Sequence, residues 1–174
     1  MIEKFGVITR TGELLESCLR LNTNMYNNTK DEISLRFFNT KGNGIYWISE
    51  GKEISIFSNS GNIIGYPSSD LIFIVAVYHP VNNYDFSAPH NAVIYNADGS
   101  IYLQLKQQKL ISDFAKKSKL KPSELFFDEV GWSKDCKGDV VTAITIGFNR
   151  DFREERVLNT KTGELGELLS SGMY

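Results

Sequence analysis

One short pattern recurs along this chain and constrains its fold more than any other feature: an apolar stretch, a polar tip, a glycine and a second apolar stretch. Glycine and asparagine at the tips reach the positive φ of tight hairpin turns, and valine, isoleucine and tyrosine on the flanks favour strands. We therefore predict a β-hairpin at each copy. The copies are VITRTGELLES (7–17), ISEGKEISIF (48–57), IFSNSGNIIGY (56–66), VIYNADGSIYLQL (93–105) and VLNTKTGELGELL (157–169).

Further strands are predicted between these hairpins. LIFIVAVY (71–78) is continuously apolar, as in a strand buried on both faces, whereas EISLRFFNT (32–40) alternates and VVTAITIGF (140–148) is rich in β-branched residues. The sequence thus predicts a mainly β protein, an antiparallel meander of about ten strands in one domain over 1–174. A sandwich, a barrel and a partial propeller all fit, but the uneven spacing of the glycine tips excludes a fixed-period repeat.

One helix is predicted near 107–118, where good helix formers place Leu110, Ile111 and Phe114 on one face. The basic and acidic run RDFREER (150–156) is predicted to be an exposed mixed-charge loop or strand edge. The helix is expected to lie against the sheet.

Composition excludes several classes of function. The formal net charge is −2, whereas a dedicated nucleic-acid binder is usually basic. The longest apolar run, 71–78, is far shorter than the roughly 20 residues of a membrane span. Cys18 and Cys136 lie far apart with no CxxC spacing, and no apolar leader opens the chain, so we expect a reduced, cytoplasmic protein. We expect no metal and no cofactor, because zinc-ligand spacing and phosphate-binding glycine motifs are missing.

The loop HPVNNYDFSAPH (79–90) contains both histidines of the chain, His79 and His90, with Asp85 between them. Such a pair is suited to general acid–base cleavage of RNA, because imidazole titrates near neutral pH. The prolines beside both histidines instead indicate the end and the start of strands. We therefore predict that the chain is not an enzyme and has no catalytic residue.

A binding surface is predicted from the acidic stretch 124–139, where carboxylates surround aromatic residues. Aromatic side chains anchor interfaces, and acidic residues steer a basic partner towards them. With two residues of the 79–90 loop, the predicted partner-binding residues are Tyr84, Asp85, Asp128, Glu129, Trp132 and Asp135.

In general character the chain resembles the immunity proteins of bacterial polymorphic toxin systems, including contact-dependent growth inhibition. The resemblance lies in its small size, mild acidity, missing catalytic motifs, and segments such as NTNMYNNTK and FNTKGNG, typical of AT-rich accessory genes. It implies a cytoplasmic antitoxin, monomeric when free, that covers the active site of a cognate toxin domain. For a nuclease toxin the cleft is basic, which an acidic inhibitor complements.

Two other functions stay open on the sequence. One is a small RNase-like hydrolase that uses His79 and His90, and the other is a non-catalytic accessory or structural β module. The hydrolase requires both imidazoles in one cleft, and the structural module requires a symmetric oligomer with a large apolar interface.

Overall fold

The computed structural model describes residues 1–17, 42–59, 62–79, 86–118, 120–148 and 152–173. These ranges contain twelve strands, one α-helix and one 3-10 turn at Pro122–Glu124. The helix is α1 (Asp113–Ser118). The strands are β1 (Ile2–Thr9), β2 (Leu14–Ser17), β3 (Gly42–Ser49), β4 (Lys52–Phe57), β5 (Ile63–Pro67), β6 (Phe73–Tyr78), β7 (Ala92–Asn96), β8 (Ile101–Gln104), β9 (Phe126–Lys134), β10 (Val140–Phe148), β11 (Phe152–Leu158) and β12 (Leu165–Met173).

The strands form three antiparallel sheets of four strands each. The N-terminal sheet has the order β2-β1-β3-β4, the central sheet β5-β6-β7-β8, and the C-terminal sheet β12-β11-β10-β9. The predicted mainly β, antiparallel fold is confirmed, and the described residues form no closed barrel. The central and C-terminal sheets are simple meanders, whereas β1 is inserted between β2 and β3 in the N-terminal sheet.

Two hydrophobic cores lie on opposite faces of the central sheet. On one face, Ile74 and Tyr95 pack with Phe5 and Trp47 of the N-terminal sheet. On the other face, Val75 and Ile94 pack with residues of the C-terminal sheet that include Phe127 and Ile146. Every residue of β6 is buried because neighbouring residues of a strand point to opposite faces, and both faces are covered here. The prediction of a doubly buried strand at 71–78 is thus confirmed for Phe73–Tyr78, whereas Ile72, just before the strand, is exposed.

Four of the predicted hairpins are confirmed. They are β1–β2, β3–β4, β7–β8 and β11–β12. The β3–β4 turn has positive φ at both Glu50 and Gly51, the conformation that a two-residue hairpin turn requires. The strand predicted at 140–148 is β10. The strand predicted at 32–40 lies outside the described residues, as does Cys18.

The hairpin predicted at 56–66 is wrong. β4 pairs with β3 in the N-terminal sheet, whereas β5 pairs with β6 in the central sheet. The segment is therefore a connection between two sheets. A polar tip with a glycine marks a reversal of the chain, but it does not decide whether the second strand pairs with the first.

The predicted helix starts later than expected, at Asp113 rather than near 107. The backbone N–H groups that a longer helix would use are already bonded elsewhere. The N–H groups of Ile111 and Ser112, which would bond within a helix that starts near 107, donate to the Glu154 carboxylate instead. Before them, Leu105 donates its N–H to the carbonyl oxygen of Ala92, and Gln107 donates to Nδ1 of His90. Long-range hydrogen bonds thus hold 105–111 in a non-helical path beside the sheets, and helix propensity alone could not predict this.

The conformation of the run RDFREER, in the part that the structure describes, also differs from the prediction of an exposed loop or strand edge. Its described residues belong to β11, which lies between β10 and β12 inside the C-terminal sheet. Burial alternates along β11, with Phe152, Glu154, Arg156 and Leu158 buried. Two charged residues therefore lie on the inner face of the sheet.

Candidate partner-binding surface

The outer face of the C-terminal sheet, which points away from the central sheet, presents a cluster of charged side chains. Because side chains alternate along a strand, Arg153 and Glu155 point outward from β11, whereas Phe152, Glu154 and Arg156 are buried. Thr145 on β10 pairs with Glu155 on one side and with Glu129 on the other. One polar surface therefore extends from β9 to β12, and we call it the acidic face; it contains Asp128, Glu129, Arg153, Glu155 and Ser170.

A β-bulge in β9 brings the two acidic residues predicted from the sequence together. Thr145 pairs with Glu129 and the next residue of β10, Ile146, pairs with Phe127, so Asp128 is the extra residue. Arg153 then contacts both carboxylates, at 3.1 Å to Asp128 and 3.2 Å to Glu129. Without the bulge, Asp128 and Glu129 would point to opposite faces of the sheet. With it, both carboxylates lie on the outer face.

The Arg153 side chain reaches over β10 to β9, and the residue paired with it on β10 is Gly147. A Cβ atom at Gly147 would lie 2.6 Å from the ring of Phe126, which covers this position. Any larger residue at 147 would have to displace this ring. The glycine therefore allows Phe126 to lie over β10 on the outer face.

Glu155 extends the acidic face towards β12. It pairs with Ser170, whose hydroxyl donates a hydrogen bond of 3.1 Å to the Glu155 carboxylate. Glu129, Thr145, Glu155 and Ser170 thus form one row across all four strands. Three carboxylates face one guanidinium group, so the surface has a negative formal charge.

The carboxyl group of Glu129 has a raised pKa. Loss of hydration is the main cause; Arg153 opposes it, and the neighbouring Asp128 carboxylate adds to it. A basic group from a partner would relieve this cost, because a second cation near Glu129 favours the ionised form.

The other predicted binding residues lie elsewhere. The indole N–H of Trp132 donates to the carbonyl oxygen of Pro67 at 2.8 Å, and its ring packs edge-on against Tyr66, with the centroids 5.2 Å apart. Asp135 lies in the turn between β9 and β10, where it accepts hydrogen bonds from the N–H groups of Lys137 and Asp139. Tyr84 and Asp85 lie outside the described residues. Of the four predicted residues that the structure describes, Asp128 and Glu129 lie together, and a binding role for each of the six stays a prediction.

The two histidines lie at the same end of the central sheet. Tyr78 donates to the carbonyl oxygen of Asn91, so His79 and His90 flank the last rung between β6 and β7. Both are exposed. Nδ1 of His90 accepts the Gln107 N–H at 3.1 Å, so a neutral His90 carries its proton on Nε2.

Sequence reasoning missed a buried ion pair on the inner face of the C-terminal sheet. Glu154 is 0% exposed and Arg156 5% exposed. The Glu154 carboxylate accepts hydrogen bonds from the N–H groups of Ile111 and Ser112, where α1 begins. Arg156 donates to the carbonyl oxygens of Leu165 and Gly166, at 2.7 and 2.8 Å. The charges are satisfied by the chain itself and hold 109–112 against the sheet.

A buried asparagine, also missed, fixes β9 to the central sheet. The Asn91 amide group donates to the carbonyl oxygen of Phe127 and accepts the Phe127 N–H, at 2.7 and 2.9 Å. It also donates to the carbonyl oxygen of Tyr78. The signal in the sequence was weak, because one asparagine at the end of a loop is typical of any turn.

Within the described ranges, no group of three or more histidine, cysteine, aspartate or glutamate side chains is arranged to hold a metal ion. The part of the chain that the structure describes also contains no helix that is long and apolar enough to cross a membrane.

The fold defines an all-β protein built from three four-stranded antiparallel sheets. No family model matches the chain, and no curated protein matches it. Among solved structures, it is similar to a chain in "Structure of Tne2 in complex with Tni2", with a TM-score of 0.63 over 97% of each chain. The sequence identity is 12%, so the likeness establishes a shared fold over nearly the whole length.

Proposed function

We propose that this chain is an immunity protein that binds a cognate bacterial toxin domain and blocks its active site. The toxin is proposed to be a nuclease, as in contact-dependent growth inhibition. The protein acts in the cytoplasm, is monomeric when free, and works through its surface with no reactive centre of its own.

The shared fold is the observation that carries this proposal. The similar chain belongs to a complex of two proteins, Tne2 and Tni2, and 97% of its length is matched. This supports a function in which the complete domain, and not a small motif within it, engages a protein partner. The small size and mild acidity of the chain agree with such a role.

The acidic face supports the choice of a nuclease as the toxin. A nuclease binds phosphate backbones and therefore has a basic cleft. Asp128, Glu129 and Glu155 present carboxylates on the outer face of a sheet, where a flat basic surface can approach them. Charge complementarity of this kind speeds association and disfavours wrong partners.

The decisive experiment uses the protein encoded by the gene immediately upstream, produced as a toxin domain. We expect a 1:1 complex in size-exclusion chromatography and survival of cells that express both proteins. The complex should also stop nucleic-acid cleavage by the purified toxin. Neither complex nor protection with that neighbour would contradict the proposal. RNA cleavage by this chain itself, lost on replacing His79 and His90 with alanine, would support the hydrolase instead.

Charge-reversal variants locate the interface within the same experiment. Glu155→Lys is expected to weaken the complex at least about tenfold, because it places a cation opposite the basic toxin surface. Glu53→Lys makes the same charge change on the exposed face of β4, in the N-terminal sheet, and serves as the matched control. Equal losses for the two variants would mean that only the net charge matters and that the acidic face is not the interface.

A further inference from the structure

The edge strands of the three sheets differ in how well they are protected against pairing with another chain. Proteins block such edges with short strands, charged residues, prolines or bulges. Among the described residues, β2 and β8 have four residues each, β5 ends in Pro67, and β4 begins with Lys52 and Glu53. β9 contains the bulge at Asp128. These five edges therefore each carry at least one protective feature.

β12, the sixth edge, has two register shifts against β11, but both precede Ser170, so its last four residues keep a regular edge with no charge and no proline. It has nine residues, of which Glu167 alone is charged, and none is a proline. Met173 is 68% exposed and Leu168 38% exposed. Ser170–Met173 pairs with β11 in regular register, and in the described part of the chain no strand pairs with the other side of β12. An edge of this kind offers backbone N–H and C=O groups to an incoming strand.

The charges beside β12 indicate which strand would fit. Ser170 is the last residue of the row that contains Glu129 and Glu155. A strand added beside β12 would pair one of its residues with Ser170. That residue would lie two strands away from Glu155, which is on β11. Arg153 already spans that distance in this protein, since it reaches from β11 over β10 to Asp128 on β9. An arginine or lysine on the added strand can therefore reach Glu155 over the small Ser170 side chain.

We propose that β12 accepts an extended strand of the toxin, which continues the C-terminal sheet and places a basic side chain opposite Ser170. This rests on the proposed function, and it specifies how the toxin is bound. Backbone hydrogen bonds along Ser170–Met173 provide the attachment, and the pairing with Glu155 selects a basic strand.

Hydrogen exchange on the complex with the upstream-encoded toxin domain tests the proposal. Amides of Ser170–Met173 that face away from β11 are expected to exchange at least about tenfold more slowly in the complex than in the free protein. Amides of β4 should not change. A complex that forms while the exchange of β12 stays at its free rate overturns this proposal and leaves the immunity function intact. If no complex forms, both proposals fail.

Two serine variants on exposed edge strands provide the second readout. Ser170→Lys supplies Glu155 with an internal cation and fills the space above it, so we expect at least about tenfold weaker binding. Ser55→Lys, on β4, is the matched control and should change binding by less than about twofold. Unfolding curves of both variants should match the unsubstituted protein. Slow exchange of β12 in the free protein that depends on concentration, with a dimer in solution, would show that a second copy occupies the edge and would overturn the proposal.

Discussion

The two faces of β11 carry the same residue types and use them in opposite ways. On the inner face, Glu154 and Arg156 are buried, and their charges are bonded to backbone groups of the chain itself. On the outer face, Arg153 and Glu155 are partly exposed; Arg153 contacts Asp128 on β9, two strands away, and Glu155 contacts Ser170 on the neighbouring β12. A pair of glutamates and a pair of arginines in one heptapeptide thus serve two separate purposes.

The difference shows how burial determines the role of a charge. A buried ion must have hydrogen bonds from the protein, because it has lost those from water, and its removal is costly. A surface ion pair contributes little to stability and stays available for a partner. We therefore assign the inner pair to the fold and propose a role in recognition for the outer cluster.

The largest effect is expected from Glu154→Gln, which leaves Arg156 buried without its counter-ion. We expect a loss of about 3–5 kcal/mol in the free energy of unfolding, measured with urea. Glu155→Gln, the neighbouring change on the outer face, should cost less than about 0.5 kcal/mol. Similar losses for both variants would remove the distinction between the faces.

The next effect concerns the outer face itself. Gly147→Val would force its side chain into the ring of Phe126, and we expect a loss of about 1–3 kcal/mol in the free energy of unfolding. Gly172→Val lies in the same row, where an added Cβ meets nothing within 4 Å, and should be nearly neutral. A neutral Gly147→Val would mean that the Phe126 ring moves aside freely and that its position does not depend on the glycine.

The two faces of β11 should also differ in how strongly salt affects their contributions. Raising ionic strength from about 0.05 to about 0.5 M is expected to slow toxin association about tenfold, because the exposed carboxylates are screened. Stopped-flow fluorescence measures this rate. The stability difference between Glu154→Gln and the unsubstituted protein should stay nearly constant over the same range, since a buried pair is poorly screened. An association rate that is independent of salt would contradict electrostatic steering by the acidic face.

The smallest effect is expected from Glu129→Gln. Since the pKa of Glu129 is raised in the folded protein, its contribution to stability falls as pH rises through that pKa. The variant should therefore melt up to about 2 °C higher at pH 7, and the difference should disappear in acid, where Glu129 is protonated. Thermal unfolding followed by circular dichroism at both pH values checks this. A lower melting temperature at pH 7 would show that the ion pair with Arg153 outweighs the lost hydration.

The sequence was informative where structure is set by neighbouring residues. Turn residues such as Glu50 and Gly51 predicted their hairpins, because the required φ angles are local properties. The prediction at 56–66 was wrong because the choice of pairing partner belongs to the sheets. The helix start at Asp113 was missed for the same reason, since Glu154 accepts hydrogen bonds from the N–H groups of Ile111 and Ser112 that would have extended it.

Part of the candidate site could also be predicted from the sequence. Asp128 and Glu129 were predicted from the acidic stretch, but Arg153 and Glu155 were assigned to a loop or an edge. Their contribution depends on the register of β9, β10 and β11, and on a bulge that no local pattern announced. Trp132 was predicted to bind a partner, but its ring packs against Tyr66 and its N–H donates to the carbonyl oxygen of Pro67 within the protein.

The amino-acid sequence alone determined that this chain forms antiparallel strands joined by tight turns, since backbone preferences and alternation act over a few residues. The tertiary structure decided which charged side chains are buried and support the fold, and which lie on the surface. That division depends on which face of each strand meets another sheet, and this is settled only when the three sheets pack.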